Sequence, residues 1–121
     1  MVRRCDTPGM LVGLRTRLKP GTQDAYEAAH AAISPGVQAA QLKAGIRTWT
    51  IFGDGLDLFH VVDCDDFERA EALLATDPTD QRWQAEMAKY VEGLGDPTGS
   101  PVHRLRVVYH GDNQARGATA I

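Results

Sequence analysis

A tyrosine and a histidine stand four residues apart in the stretch DAYEAAH, residues 24–30. Four residues are about 1.1 helical turns, so Tyr26 and His30 would stack on one helix face. Imidazole changes charge near neutral pH and can give or take a proton. A phenol beside it can orient the ring or relay a proton. The pair therefore suits a catalytic couple on a cleft wall. The same spacing also suits packing, because Tyr26, Ala29, His30 and Ile33 fall at i, i+3, i+4 and i+7. On that reading the stripe covers a sheet, and His30 is a satisfied side chain at its edge. Trp49 and Trp83 carry the same ambiguity, as apolar platforms for a ring or as core residues.

The elements that would position these residues are legible from periodicity. MLVGLRTRL (10–18) alternates, with Met10, Val12, Leu14, Thr16 and Leu18 facing one way, and reads as a half-buried strand. KPGT turns the chain, and Thr22 or Asp24 is expected to cap a helix running to about Ala32. SPG (34–36) interrupts it, and VQAAQLKA (37–44) is a second helical piece stopped by Gly45. IRTWTIF (46–52) and LDLFHVVDC (56–64) read as strands joined by a tight turn at GDG (53–55). DDFERAEALLA (65–75) is a helix with Phe67, Ala70, Leu73 and Leu74 on its inner stripe. Another helix is expected from about Thr79 to residue 95, carrying Trp83, Met87, Tyr90 and Val91. A loop, DPTGSP, leads to a last strand over 102–110.

The order β-α-β-β-α-β, each helical segment broken in two, predicts an α+β ferredoxin-like fold with an antiparallel sheet and helices on one face. One domain is expected over 1–121, with its core at about 10–109 and flexible tails at 1–8 and 111–121. The uncovered sheet face predicts a homodimer, a second copy burying the apolar residues there.

With 43% hydrophobic and 24% charged residues and a formal net charge of −3, the composition is that of a globular protein without a nucleic-acid footprint. No apolar run approaches the roughly 20 residues of a membrane span. No apolar stretch follows the basic start MVRRCDTPG, so a cytoplasmic location is expected. Two cysteines, Cys5 and Cys64, make neither a disulfide framework nor a zinc site. The four histidines show no metal-ligand spacing, and no metal or cofactor is expected.

PGTQDAYEAAH, LKAGIRTWTIF, LDLFHVVDCDDF and TDQRWQAEM, in that order, resemble the L-rhamnose mutarotase family, which also has L-fucose-type members. The resemblance covers residues 10 to 109. It implies a dimeric ferredoxin-like α/β barrel that interconverts the α and β anomers of a 6-deoxy sugar without metal or cofactor. It also implies catalytic roles for His30 and Tyr26, with sugar contacts from Trp83, Trp49, Arg82 and Asp77. Two positions depart from the family pattern. Ser34 stands where a tryptophan would line the sugar site, and Gly36 replaces a glutamate. Two rival readings use the same dimeric fold: a cofactor-free monooxygenase or polyketide cyclase with an apolar pocket, and a non-catalytic ligand-binding protein.

Overall fold

A computed structural model describes residues 9–94 and 102–111. The expected tail at 1–8, all but the first residue of the tail expected at 111–121, and the DPTGSP loop at 96–101 lie outside them. Eight elements follow in order: β1 (Met10–Arg17), α1 (Gln23–Ala31), α2 (Pro35–Lys43), β2 (Ile46–Asp54), β3 (Asp57–Cys64), α3 (Phe67–Ala75), α4 (Pro78–Met87) and β4 (His103–Leu105). The four strands form one antiparallel sheet in the order β2-β3-β1-β4. This is the ferredoxin-like arrangement that the strand and helix pattern predicts.

Strand parity decides which side chains enter the core. Val12, Leu14, Thr16 and Leu18 of β1 and its extension alternate with exposed or half-buried residues, as do Leu58, His60, Val62 and Cys64 of β3. The inner face meets the four helices in two apolar clusters. One gathers Val12, Leu14, Ile46, Val62, Cys64 and Phe67, together with Ala44 and Ala70. The other gathers Leu18, Tyr26, Leu58, Met87 and Val91. Thr16 on β1 and His60 on β3 lie between the clusters along their strands, so a polar belt crosses the sheet where an unbroken core would be apolar. Cys64 is a buried free thiol.

Several boundaries differ from the sequence expectation, each for a local reason. Thr22 precedes α1, but its hydroxyl donates to the carbonyls of Lys19 and Tyr90 instead of capping the helix. α2 starts two residues earlier than expected: Ser34 Oγ accepts from the Val37 amide, and Pro35 occupies the first turn, where a missing N–H costs nothing. The β2–β3 turn is Gly55–Leu56, not 53–55. Gly55 takes the positive φ of 62°, while Gly53 remains in the ladder opposite Leu58. In α3 Leu73 is exposed, and Leu74 alone of that pair packs inward.

The longest departures are in the second half. α4 ends at Met87 because the following backbone is claimed by the end of β1. Lys19 N–H donates to Tyr90 O, Glu92 N–H donates to Arg17 O, and Leu18 and Val91 form a bridge. β4 is three residues, not nine. It pairs with β1 only from Gly13↔Leu105 to Arg15↔His103, and Val107, Val108 and Tyr109 are strongly exposed.

The face of the sheet turned away from the helices carries Leu11, Phe59, Val61 and Leu105, each between 37% and 46% exposed. Ion pairs of Arg15 and Arg17 with Asp57, and of Arg47 with Asp63 and Asp65, surround it. Among the described residues, no helix is long and apolar enough to cross a membrane.

Candidate active site

Between the helix layer and the polar belt lies a cavity of about 500 Å³. Its walls include Tyr26 and His30 from α1, Trp49 from β2, Trp83 and Asp80 from α4, and Thr16 and His60 from the sheet. Four of the six residues singled out from the sequence therefore converge here.

Tyr26 and His30 sit on the same side of α1, with ring centroids 4.3 Å apart. His30 and Trp83 form a T-shaped pair with ring centroids 5.0 Å apart. His30 Nδ1 lies 3.0 Å from the carbonyl oxygen of Tyr26. A carbonyl only accepts, so Nδ1 carries the hydrogen. In the neutral ring Nε2 then holds the lone pair. A hydrogen bond one turn back along the helix thus fixes which nitrogen can exchange a proton with a ligand. Burial pushes the Tyr26 phenol up to about 12, so it stays protonated near neutral pH. Tyr26 can donate a hydrogen bond; it is not a base.

A second histidine shares the cavity. His60 is 8% exposed, and its Nδ1 accepts from Trp49 Nε1–H at 3.0 Å. Indole nitrogen only donates, so Nδ1 bears no hydrogen and Nε2 must carry it. Nε2–H then donates to Thr16 Oγ1 at 2.9 Å. The ring is held neutral: burial, and secondarily the neighbouring His30, lower its pKa to about 4. Asp80 is 5% exposed, and its carboxyl is raised by burial, then by the nearby Asp77 carboxylate.

Neither Asp77 nor Arg82 is among the cavity's lining residues. Asp77 caps α4, its carboxylate accepting from the Asp80 amide at 2.9 Å. The Arg82 guanidinium donates to Thr79 Oγ1 on the exposed side of that helix. Ser34 Oγ accepts from the Val37 amide at the α2 cap.

Thr16, His60 and Asp80 were not singled out from the sequence, although each left a signal. Thr16 and His60 are polar residues on the inward parity of otherwise apolar strands. Asp80 lies three residues before Trp83 and seven before Met87, on their helical stripe. Among the described residues, no three of His, Cys, Asp and Glu come together in a group able to hold a metal ion.

Comparison with known proteins settles the lineage. A family model described as L-rhamnose mutarotase matches residues 12–111. The chain belongs to the L-rhamnose mutarotase family. An L-rhamnose mutarotase of Burkholderia orbicola is 36% identical over 102 residues, 82% of this chain and 95% of the relative. The crystal structure of an L-rhamnose mutarotase from Formosa agariphila superposes with a TM-score of 0.71 at 21% identity, covering 85% of this chain and 99% of that one. Tetracenomycin F2 cyclase from Streptomyces glaucescens, a type-II polyketide cyclase, shares the fold alone. Its TM-score is 0.60 at 16% identity, over 84% of this chain and 98% of the cyclase. Membership of the mutarotase family makes the protein an isomerase-class enzyme.

Proposed function

We propose that the protein interconverts the α and β anomers of a 6-deoxy aldose such as L-rhamnose or L-fucose. The observation that carries this reading is the fixed tautomer of His30 in the cavity, with Nδ1–H tied to the Tyr26 carbonyl and Nε2 left to move a proton. Anomer exchange needs that and little more. Nε2 takes the proton of the anomeric hydroxyl as the ring C–O bond breaks and the carbonyl forms. The ring oxygen gains a proton, delivered through the Tyr26 hydroxyl or returned from the imidazolium. The open aldehyde turns about C1–C2, and the reverse steps close the other anomer. No atom or electron is gained or lost.

Trp83 and Trp49 supply flat faces for the pyranose. The polar belt favours a sugar over an aromatic polyketide, because an apolar guest would strip water from Thr16 and Asp80 and return no hydrogen bonds. Asp77 and Arg82 keep any sugar role only at the rim, given their positions.

A homodimer through the outer sheet face accords with the exposed Leu11, Phe59, Val61 and Leu105. A cytoplasmic location accords with the free thiol of Cys64.

The test is magnetisation exchange by NMR between the α and β anomeric protons of L-rhamnose, L-fucose and a panel of other aldoses. Exchange well above the spontaneous rate for a 6-deoxy sugar is the expected result. A purified protein that accelerates none of them refutes the reading.

A further inference from the structure

The belt of Trp49, His60 and Thr16 is a hydrogen-bond chain with one possible direction. Trp49 can only donate, which makes His60 Nδ1 an acceptor and Nε2–H a donor. Thr16 Oγ1 must therefore accept from His60, and its own hydrogen has to point elsewhere. Thr16 is 6% exposed and lines the cavity, and among the described residues this is the only hydrogen bond its side chain makes. A buried hydroxyl with an unspent donor is uncommon in a folded protein.

We propose that the Thr16 hydroxyl is a substrate-binding donor, directed by Trp49 and His60 at an acceptor oxygen of the bound sugar. His60 and Trp49 act here as positioning residues, turning a hydroxyl that would otherwise rotate freely into a donor of fixed sense. This deepens the mutarotase reading and rests on it. It separates two duties within one cavity: proton transfer belongs to α1, and recognition of a sugar oxygen belongs to the sheet. It also accounts for two histidines in one site with different jobs. His30 keeps a nitrogen available for the proton, and both nitrogens of His60 are spent on neighbours.

The experiment compares the parent with Thr16→Val and Thr16→Ser. Valine keeps the shape and removes the hydroxyl, and serine keeps the hydroxyl. Dissociation constants for L-rhamnose come from chemical-shift titration, which needs no turnover, and exchange rates at saturation come from anomeric magnetisation transfer. Thr16→Val should weaken binding by roughly 3- to 10-fold, the effect of one neutral hydrogen bond, with a much smaller change in the saturated rate. Thr16→Ser should bind within about 2-fold of the parent, allowing for the context scatter of one hydrogen bond. If Thr16→Val binds as tightly as a parent that exchanges the sugar, this proposal is overturned and the mutarotase reading stands. If the parent binds sugar without exchanging it, the mutarotase reading fails while the comparison of affinities still judges Thr16. A parent that does not bind sugar at all overturns both. Because Thr16→Val also leaves His60 Nε2–H without its acceptor, the parent supplies a check that needs no variant. Long-range ¹⁵N–¹H correlation should report His60 as the Nε2–H tautomer, and the Nδ1–H tautomer overturns the directed chain.

Discussion

Replacing His30 with alanine separates catalysis from packing, because the two roles differ in size. The structure limits what His30 can contribute to stability. The ring is half-buried at the cavity wall, makes one hydrogen bond to a backbone carbonyl, and touches Tyr26 and Trp83. A net hydrogen bond is worth about 1 kcal/mol and an aromatic contact about 0.5–1.5 kcal/mol, both reduced by partial exposure. The loss on truncation should be about 1–2 kcal/mol, lowering Tm by several degrees, roughly 4–8 °C per kcal/mol being the upper range for small domains. General acid–base assistance is worth roughly 10²–10⁴-fold, or about 3–5 kcal/mol of barrier. His30→Ala should thus cost far more in rate than in stability.

The assay is anomeric magnetisation transfer at saturating sugar, with circular dichroism melts on the same samples. Added imidazole gives a third readout. The truncation leaves space at the cavity wall, and a diffusible base there should restore part of the rate without changing Tm. If His30→Ala exchanges the sugar at the parental rate while melting several degrees lower, the histidine is a packing residue and the proton-transfer argument is wrong.

Tyr26→Phe removes a hydroxyl and keeps the ring that fills the second apolar cluster. The exchange rate should fall with Tm unchanged or slightly raised, and an unchanged rate would assign Tyr26 to packing alone. His60 makes stability depend on pH. Its folded-state value near 4 lies below the 6.5 of a free imidazole, so the unfolded chain binds the proton first and stability is lost as pH falls from about 6.5 to 4. That difference corresponds to about 3 kcal/mol at the low end. Urea unfolding of the parent and of His60→Gln across this window should show the parent losing more stability on acidification than the variant, the difference being the contribution of His60. Taking the difference also cancels Asp80, whose raised carboxyl contributes with the opposite sign. Light scattering should give a particle of twice 13.2 kDa, and Val61→Lys on the outer face should halve it; a monomeric parent removes the dimer.

Strand parity and helix spacing carried most of the architecture, because each depends on the residues of one segment. The inward sets of β1 and β3 are written in their alternation, and Gly45 stops α2 where a left-handed residue is needed, at φ 93°. What failed depends on partners. RVVY after Leu105 has a strand's composition, yet a strand exists only where another offers its hydrogen bonds, and β1 offers three residues. Helical spacing continues through Tyr90 and Val91. Their backbone is nevertheless taken by Leu18 and Lys19, and tertiary hydrogen bonds override a local preference that is weak for each residue.

The candidate site divides along the same line. Tyr26 and His30 were readable because one helix brings them together. The belt was not, since it is made by register. Thr16 lies opposite Leu58, and Trp49 opposite Val62, so each reaches His60 along a diagonal of the ladder. Slide either strand by two residues and parity is preserved while the chain of hydrogen bonds is lost. The register of β2 on β3 follows from the turn at Gly55–Leu56, which alternation alone does not place, and that of β1 on β3 is a pairing between strands distant in the chain. The belt also has a cost that argues for its use. Positions 16 and 60 sit among Leu14, Leu18, Leu58 and Val62, where a pair of aliphatic side chains would join the two clusters into one core. Replacing both partners of a buried hydrogen bond by apolar groups is often neutral or stabilising. A small domain that instead keeps a threonine, a neutral histidine and an indole N–H aligned under a cavity gives up cohesion at that point. The gain is a directed donor, which only a polar guest can use.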